Sequence, residues 1–313
     1  MQTAIVKPEP VELSRPQRSR LGAVGRLAGA IVHDPKAMIG VVLLAVFTFV
    51  AIFAPLIAPY DPAAQQFLPM ASPSSQNLLG TTNTGQDIFS QLIWGTRQSL
   101  LIGVIAGLAA TVISMLVGVS AAYIGGTTDL ALSLFTDVFL VLPQLPLMII
   151  IARYAGQGSF WVIIAVIVIT GWAYGARQLR SQALSLRHRE FLEAARIRGE
   201  RTSRIIVFEL LPTMTSLIVA NFLGAALYAV LSAAGLQFIG LGNINEMSCG
   251  TMLYWAENNE AMMSGAPLWI VAPGLCIALL GAAFALINYG FDEIGNPALR
   301  ATRRRHGRRG NHS

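Results

Sequence analysis

The segment Glu190–Thr213 reads EFLEAARIRGERTSRIIVFELLPT and packs four arginines and four glutamates into a chain that is only 12% charged. Glu193, Ala194, Ala195 and Arg196 come shortly before Gly199, and Leu211 and Pro212 close the segment. Good helix formers fill Arg189 to Ile197, with Phe191, Ala194, Ala195 and Ile197 supplying apolar or small contacts and Arg196 and Arg198 pointing elsewhere. Glycine tolerates the left-handed cap expected at Gly199, and Thr202 or Ser203 can cap the next helix. A short helix from Arg189 and a sharp turn at Gly199, together over about 189–203, then a climb through Pro212 into an apolar run, are expected. The small side chains at 194 and 195 would leave a shallow face for a close partner, with Glu193 as an acceptor at its edge. The plain alternative is a solvated connector.

Other candidates for chemistry are few. The sequence holds no G-x-x-x-x-G-K-[ST] phosphate loop, no H-E-x-x-H, no G-x-S-x-G and no Cys/His ligand spacing. His33, His188, His306 and His312 are scattered, so neither a catalytic nor a metal centre is expected. Cys276 lies inside an apolar run, and it and Cys249 read as two unpaired small apolar residues. Asp137 and Glu209 are acids in or beside apolar runs, where acids are functional suspects. A structural pairing is expected for each, Glu209 with Arg204 or Arg201. Thr111, Ser114, Tyr123, Gln144, Asn221, Tyr228 and Ser232 could line a pathway or pack helices together. Asn221, Tyr228 and Ser232 share one helical face. Gly103, Gly107, Gly118 and Gly224 are expected to let helices approach closely.

The elements that must position these residues are set by lipid. Of 313 residues 54% are hydrophobic, where a soluble domain would be charged at about 25%. Runs of about 20 apolar residues cross a bilayer as helix. Six are expected: Met38–Ala58, Leu100–Ile124, Leu130–Ala152, Phe160–Gln178, Ile205–Phe238 and Leu268–Phe291. Pro143 and Pro146 predict a kink or helix start in the third, and Pro212 does so in the fifth, which is longer than a span needs. All Lys and Arg except Arg97 and Arg153 fall on one side of a six-span arrangement, which puts both termini in the cytoplasm. Outside would lie Asp61, Asp87, Glu246, Glu257 and Glu260, on two long loops of 59–98 and 239–267. The arginine tail reads as a feature for anionic lipid or solubility rather than nucleic acid.

E-A-A, three residues, G and then I-V-F-E-L-L-P resemble the EAA motif of permease subunits of binding-protein-dependent ABC importers. DPKAMIGVVLLAVFTFVAIFAPLIAPYDP, LLGTTNTGQDIFSQLIWGTRQSL, TDVFLVLPQLPLMI and GLQFIGLG are similar to stretches of the C-type subunit of dipeptide and oligopeptide permeases. Glu209 stands where relatives often have histidine, and Thr213 where many have asparagine. The resemblance covers the chain from Asp34.

It implies an all-α polytopic bundle with the type I ABC importer permease fold. The expected divisions are a cytoplasmic segment 1–36, a first span 37–58, an outer loop 59–96, a permease core 97–291 and a basic tail 292–313. Glu193, Ala194, Ala195, Arg196, Gly199, Leu211 and Pro212 would form the docking motif for a cytoplasmic ATPase. The implied partners are a homologous second permease subunit, two ATPase domains carrying ATP and Mg2+, an extracytoplasmic binding protein and membrane lipid. This chain would itself bind no cofactor. The implied location is the plasma membrane of a prokaryote. The implied cargo is a di- or oligopeptide. Oligosaccharides, nickel complexes and glutathione stay open for the same machinery, and a self-contained channel or secondary transporter is the rival class.

Overall fold

The computed structural model describes residues 34–156 and 159–295. The segment 1–36, save its last three residues, and the basic tail beyond Gly295 lie outside the described residues. Among the described residues nine main helices run in order: α1 Pro35–Ile52, α2 Ile88–Ile124, α3 Gly126–Val141, α4 Gln144–Tyr154, α5 Phe160–Leu186, α6 Glu190–Ile197, α7 Thr215–Phe238, α8 Cys249–Asn258 and α9 Leu268–Gly295. Among the described residues there is no strand, only an isolated bridge between Thr81 and Asp87.

Among the described residues five helices are long and apolar enough to cross a membrane: α1, α2, α5, α7 and α9. A sixth crossing requires α3 and α4 together, and these are bent by 90°. The expected run Leu130–Ala152 is therefore broken. Pro143 has no N–H to continue the helix, and Leu142 before it is driven to extended backbone (φ −65°, ψ 134°). Pro143 then caps α4.

Other boundaries move for equally local reasons. α2 starts at Ile88, before the expected Leu100, because the Asp87 carboxylate caps it, accepting from Ser90 N at 2.8 Å. Asp87 also accepts from Asn77 Nδ2 (2.9 Å) and Ser90 Oγ (2.7 Å) and is 1% exposed, so it belongs to the loop's interior and not to an acidic outer surface. The fifth apolar run is not one helix. Thr202–Ile205, a π-helical Ile206–Leu210 and Leu211–Thr213 precede a break at Met214, and only α7 has a span's length. The next short helix is capped by Arg201 without a side-chain bond, not by Thr202 or Ser203.

α2 is the central helix, and small residues set how closely its neighbours approach. A Cβ on Gly118 would stand 2.2 Å from the Ala176 carbonyl of α5, and one on Gly107 2.8 Å from the Ala226 backbone of α7. Gly103 likewise abuts Val230. Without a hydrophobic force between helices in lipid, such close contact supplies the attraction. Gly224 departs from the expectation: the nearest atom to its Cβ would be Asn288 Nδ2 at 3.8 Å, and it borders a cavity. Large apolar side chains such as Val42, Phe49, Leu116 and Leu275 are exposed, as lipid-facing surfaces require.

Candidate functional site

Two features stand out: the α6 segment at one end of the bundle, and a cavity inside it. α6 ends in a paired backbone cap. Gly199, at φ +73°, donates its N–H to the Arg196 carbonyl (2.9 Å), and Glu200 N–H reaches the Ala195 carbonyl (3.3 Å). This closes the helix C-terminus with glycine in the left-handed region. Glu200 then accepts from Arg198 Nη2 at 2.8 Å and lies 3.7 Å from Arg204 Nε, tying the turn to the next helix.

The two alanines of the motif divide between the helix faces. Ala195 is 0% exposed, packed with Leu192, Val119, Leu179, Ala183 and Leu210. It is a root of α6 in the bundle, not part of a shallow outer face as expected. Arg196 also turns inward: its Nε donates to Tyr123 Oη at 3.0 Å, and its guanidinium lies 4.7 Å from that ring's centre. Tyr123 is thereby an anchor of α6 rather than a pathway residue. What α6 presents outward is Phe191, Glu193, Ala194 and Ile197, the last 86% exposed. Val207 and Phe208 of the π-helical turn are exposed as well, while Leu210 is buried. Leu211 and Pro212 form the short helix after that turn.

The cavity holds about 460 Å³ between α2, α3, α4, α5, α7 and α9. Gln144, Asn221 and Tyr228 line it together, and Tyr228 Oη donates to Gln144 Oε1 at 2.9 Å, linking α7 to the bent helix pair. Ser232, one turn beyond Tyr228, is not among the lining residues. Ser114, Tyr174, Gln178 and Asn288 join the lining, and no lining residue is charged. Tyr174 and Gln178 share one face of α5 four residues apart, with Gln178 Nε2 donating to Tyr174 Oη at 3.2 Å, so their spacing was a signal that could have found them, whereas Asn288 stands near the end of an apolar run. Thr111 is buried with its Oγ1 on the Gly107 carbonyl at 2.8 Å and packs only.

The two acids differ. Asp137 pairs with Arg177, as expected of a structural acid, and the parallel pair Asp129–Arg180 (2.6 Å) ties α3 to α5 a little further along. Among the described residues Glu209 has no ion pair: Arg204 turns to Glu200, and only the Glu209 carbonyl is engaged, by Thr213 Oγ1 at 2.8 Å.

A bundle of apolar helices around an uncharged polar cavity defines a multi-pass membrane permease. The chain belongs to the family of binding-protein-dependent transport system inner membrane components, whose model matches residues 114–300. A second model, the N-terminal TM domain of oligopeptide transport permease C, matches residues 31–78. Similar relatives include the dipeptide transport system permease protein DppC of Alkalihalophilus pseudofirmus, 31% identical over 85% of this chain and 86% of the relative. The oligopeptide transport system permease protein OppC of Bacillus subtilis is 30% identical over 84% of this chain and 86% of the relative. The OppC protein of Mycobacterium tuberculosis is 30% identical over 82% of this chain and 88% of its own length. The chain is thus the membrane permease component of an ABC transporter and not its ATPase.

Proposed function

We propose that this chain forms one half of the pathway of an ATP-driven importer for di- or oligopeptides handed over by an extracytoplasmic binding protein. A homologous permease subunit supplies the other half. Two cytoplasmic ATPase domains carry ATP and Mg2+, and α6 docks into them. Both termini lie in the cytoplasm of a prokaryote, with the basic residues of 177–204 on that side.

One observation carries the docking reading. Leu192, Ala195 and Arg196 root α6 in the bundle, while Phe191, Ala194 and Ile197 leave an apolar strip outside it. A rooted helix with a free apolar strip passes force in both directions, because the same rigid element touches the motor and the bundle. ATP binding favours the ATPase arrangement that moves α6, and α7 beyond Met214 shifts with it. The coupling requires contacts that differ between the two states. Asn221, Tyr228 and Gln144 would face the cargo, as uncharged groups that can hydrogen-bond a peptide backbone without reading its side chains. The cargo reading is supported by the names of the relatives, which are dipeptide and oligopeptide permeases.

Cysteine crosslinking tests the docking. A thiol-directed crosslinker on Ala194→Cys in the assembled complex is expected to capture an ATPase chain, whereas Ala195→Cys, facing the bundle, is not. Capture from neither Ala194→Cys nor Ile197→Cys would defeat the docking assignment. Uptake of radiolabelled peptides against labelled oligosaccharide by the complex in proteoliposomes tests the cargo.

A further inference from the structure

Cys249 and Cys276 lie 27 residues apart in sequence, yet their Sγ atoms stand 3.6 Å apart. Cys249 opens α8, the short helix between the two last spans, and Cys276 lies about two turns into α9. Both are buried, at 0% and 7% exposure. Each is held in place from α2: Ser99 Oγ accepts the Cys249 backbone N–H at 3.3 Å, and Thr96 Oγ1 lies 3.1 Å from Cys276 Sγ. Gly95 lets α2 and the start of α8 close up, since a Cβ there would stand 3.1 Å from Cys249 N. Two thiols on different elements are thus fixed face to face by a third.

We propose that Cys249 and Cys276 are a covalent site, joined in the mature importer by a disulfide that staples α8 to α9. A bonded pair has its sulfurs about 2.05 Å apart, so closure asks for about 1.5 Å of travel, within reach of side-chain rotation. The oxidant is a disulfide, protein or small-molecule, of the extracytoplasmic compartment. One cysteine gives up its proton, and its thiolate attacks a sulfur of that disulfide, releasing one thiolate and leaving a mixed disulfide. The second cysteine, deprotonated in turn, attacks the first cysteine's sulfur and expels the second thiolate. Two protons and two electrons pass from the cysteines to the oxidant, which ends as two thiols.

The staple bears on the outer mouth of the bundle. Thr251 and Met252, on the first turn of α8, wall a second cavity of about 430 Å³ together with Glu246 and Trp269. Glu246 itself accepts from Gln98 Nε2 at 2.9 Å, joining that wall to α2. A cross-link at Cys249 fixes one end of α8 against α9 and so holds this wall through the transport cycle. That this mouth faces the extracytoplasmic space rests on the orientation given under Proposed function.

The test uses the complete complex in native membranes. Samples are quenched in acid, denatured and alkylated with iodoacetamide, with and without prior reduction, and digested for mass spectrometry. The expected result is a linked peptide pair two hydrogen masses lighter than the reduced pair, and loss of the carbamidomethyl group from both cysteines until reductant is added. A parallel sample is treated with diamide, a membrane-permeant oxidant. If the pair is free as isolated and links only on diamide treatment, the two thiols are close enough to bond but the disulfide of the mature importer is overturned. Linkage must vanish in Cys249→Ser and in Cys276→Ser. Two cysteines fully alkylated both as isolated and after diamide would overturn the proposal.

Discussion

Ile197→Ala separates docking from folding more cleanly than any other change in α6. Ile197 is 86% exposed, so truncating it removes almost no contact from the chain itself. Its stability cost to the bundle should fall within about 0.5 kcal/mol, as for surface substitutions generally. If an ATPase groove covers it, the same change removes three buried carbons, at about 0.8 kcal/mol each. Scaled for the exposed fraction, about 2 kcal/mol of association energy is lost, or roughly a 30-fold weaker hold on the ATPase. Leu192→Ala is the opposite case: Leu192 is 0% exposed, and its loss should cost the bundle about 2–5 kcal/mol. The assay measures dissociation of ATPase chains from the detergent-solubilised complex beside the thermal unfolding of the permease. The expected pattern for Ile197→Ala is a dissociation rate up by about 30-fold with an unchanged unfolding midpoint. Unchanged dissociation with unchanged peptide uptake would refute the reasoning, because the most exposed apolar side chain of α6 would then touch nothing.

Three further outcomes are expected. Gly118→Val puts a Cβ 2.2 Å from the Ala176 carbonyl and should cost at least about 1–3 kcal/mol, read as a lower unfolding midpoint, while Gly224→Ala, with open space around it, should be tolerated. Asp87→Ala removes the cap of α2 and strands Ser90 N, Ser90 Oγ and Asn77 Nδ2, so a loss of roughly 2–4 kcal/mol should show in thermal unfolding of the complex. Tyr228→Phe removes the bond to Gln144 beside a polar cavity where another donor can replace it, so stability should move by less than about 1 kcal/mol while peptide uptake in proteoliposomes changes.

The spans were legible because an apolar run of a bilayer's length has few other uses, and five of the six expected runs contain a spanning helix at their place. Their ends were less so, since Asp87 caps α2 from within a loop whose fold no periodicity records. The prolines pointed to the break between α3 and α4 without fixing its angle, because Pro143 forbids the continuing bond but leaves the direction of the next helix to packing. The Ala-Ala pair shows a deeper limit. Two adjacent alanines look alike in sequence, yet 100° of helical turn separates them, and which one faces the bundle depends on where Tyr123 and Leu179 already stand. Arg196 belongs to the docking motif by sequence position, yet Tyr123, 73 residues away in the chain, draws it inward.

The same dependence bears on how a helix of eight residues could serve as the proposed coupling element. So short a helix is marginal alone. Here Leu192, Ala195 and Arg196 borrow rigidity from α2 and α5, and the glycine turn at 199 returns the chain to the bundle instead of letting it fray. The outward strip is therefore free to specialise in a partner, because none of its residues is needed to hold the helix. Substitutions on that strip should alter coupling and leave insertion intact, whereas those at the root should do both kinds of damage.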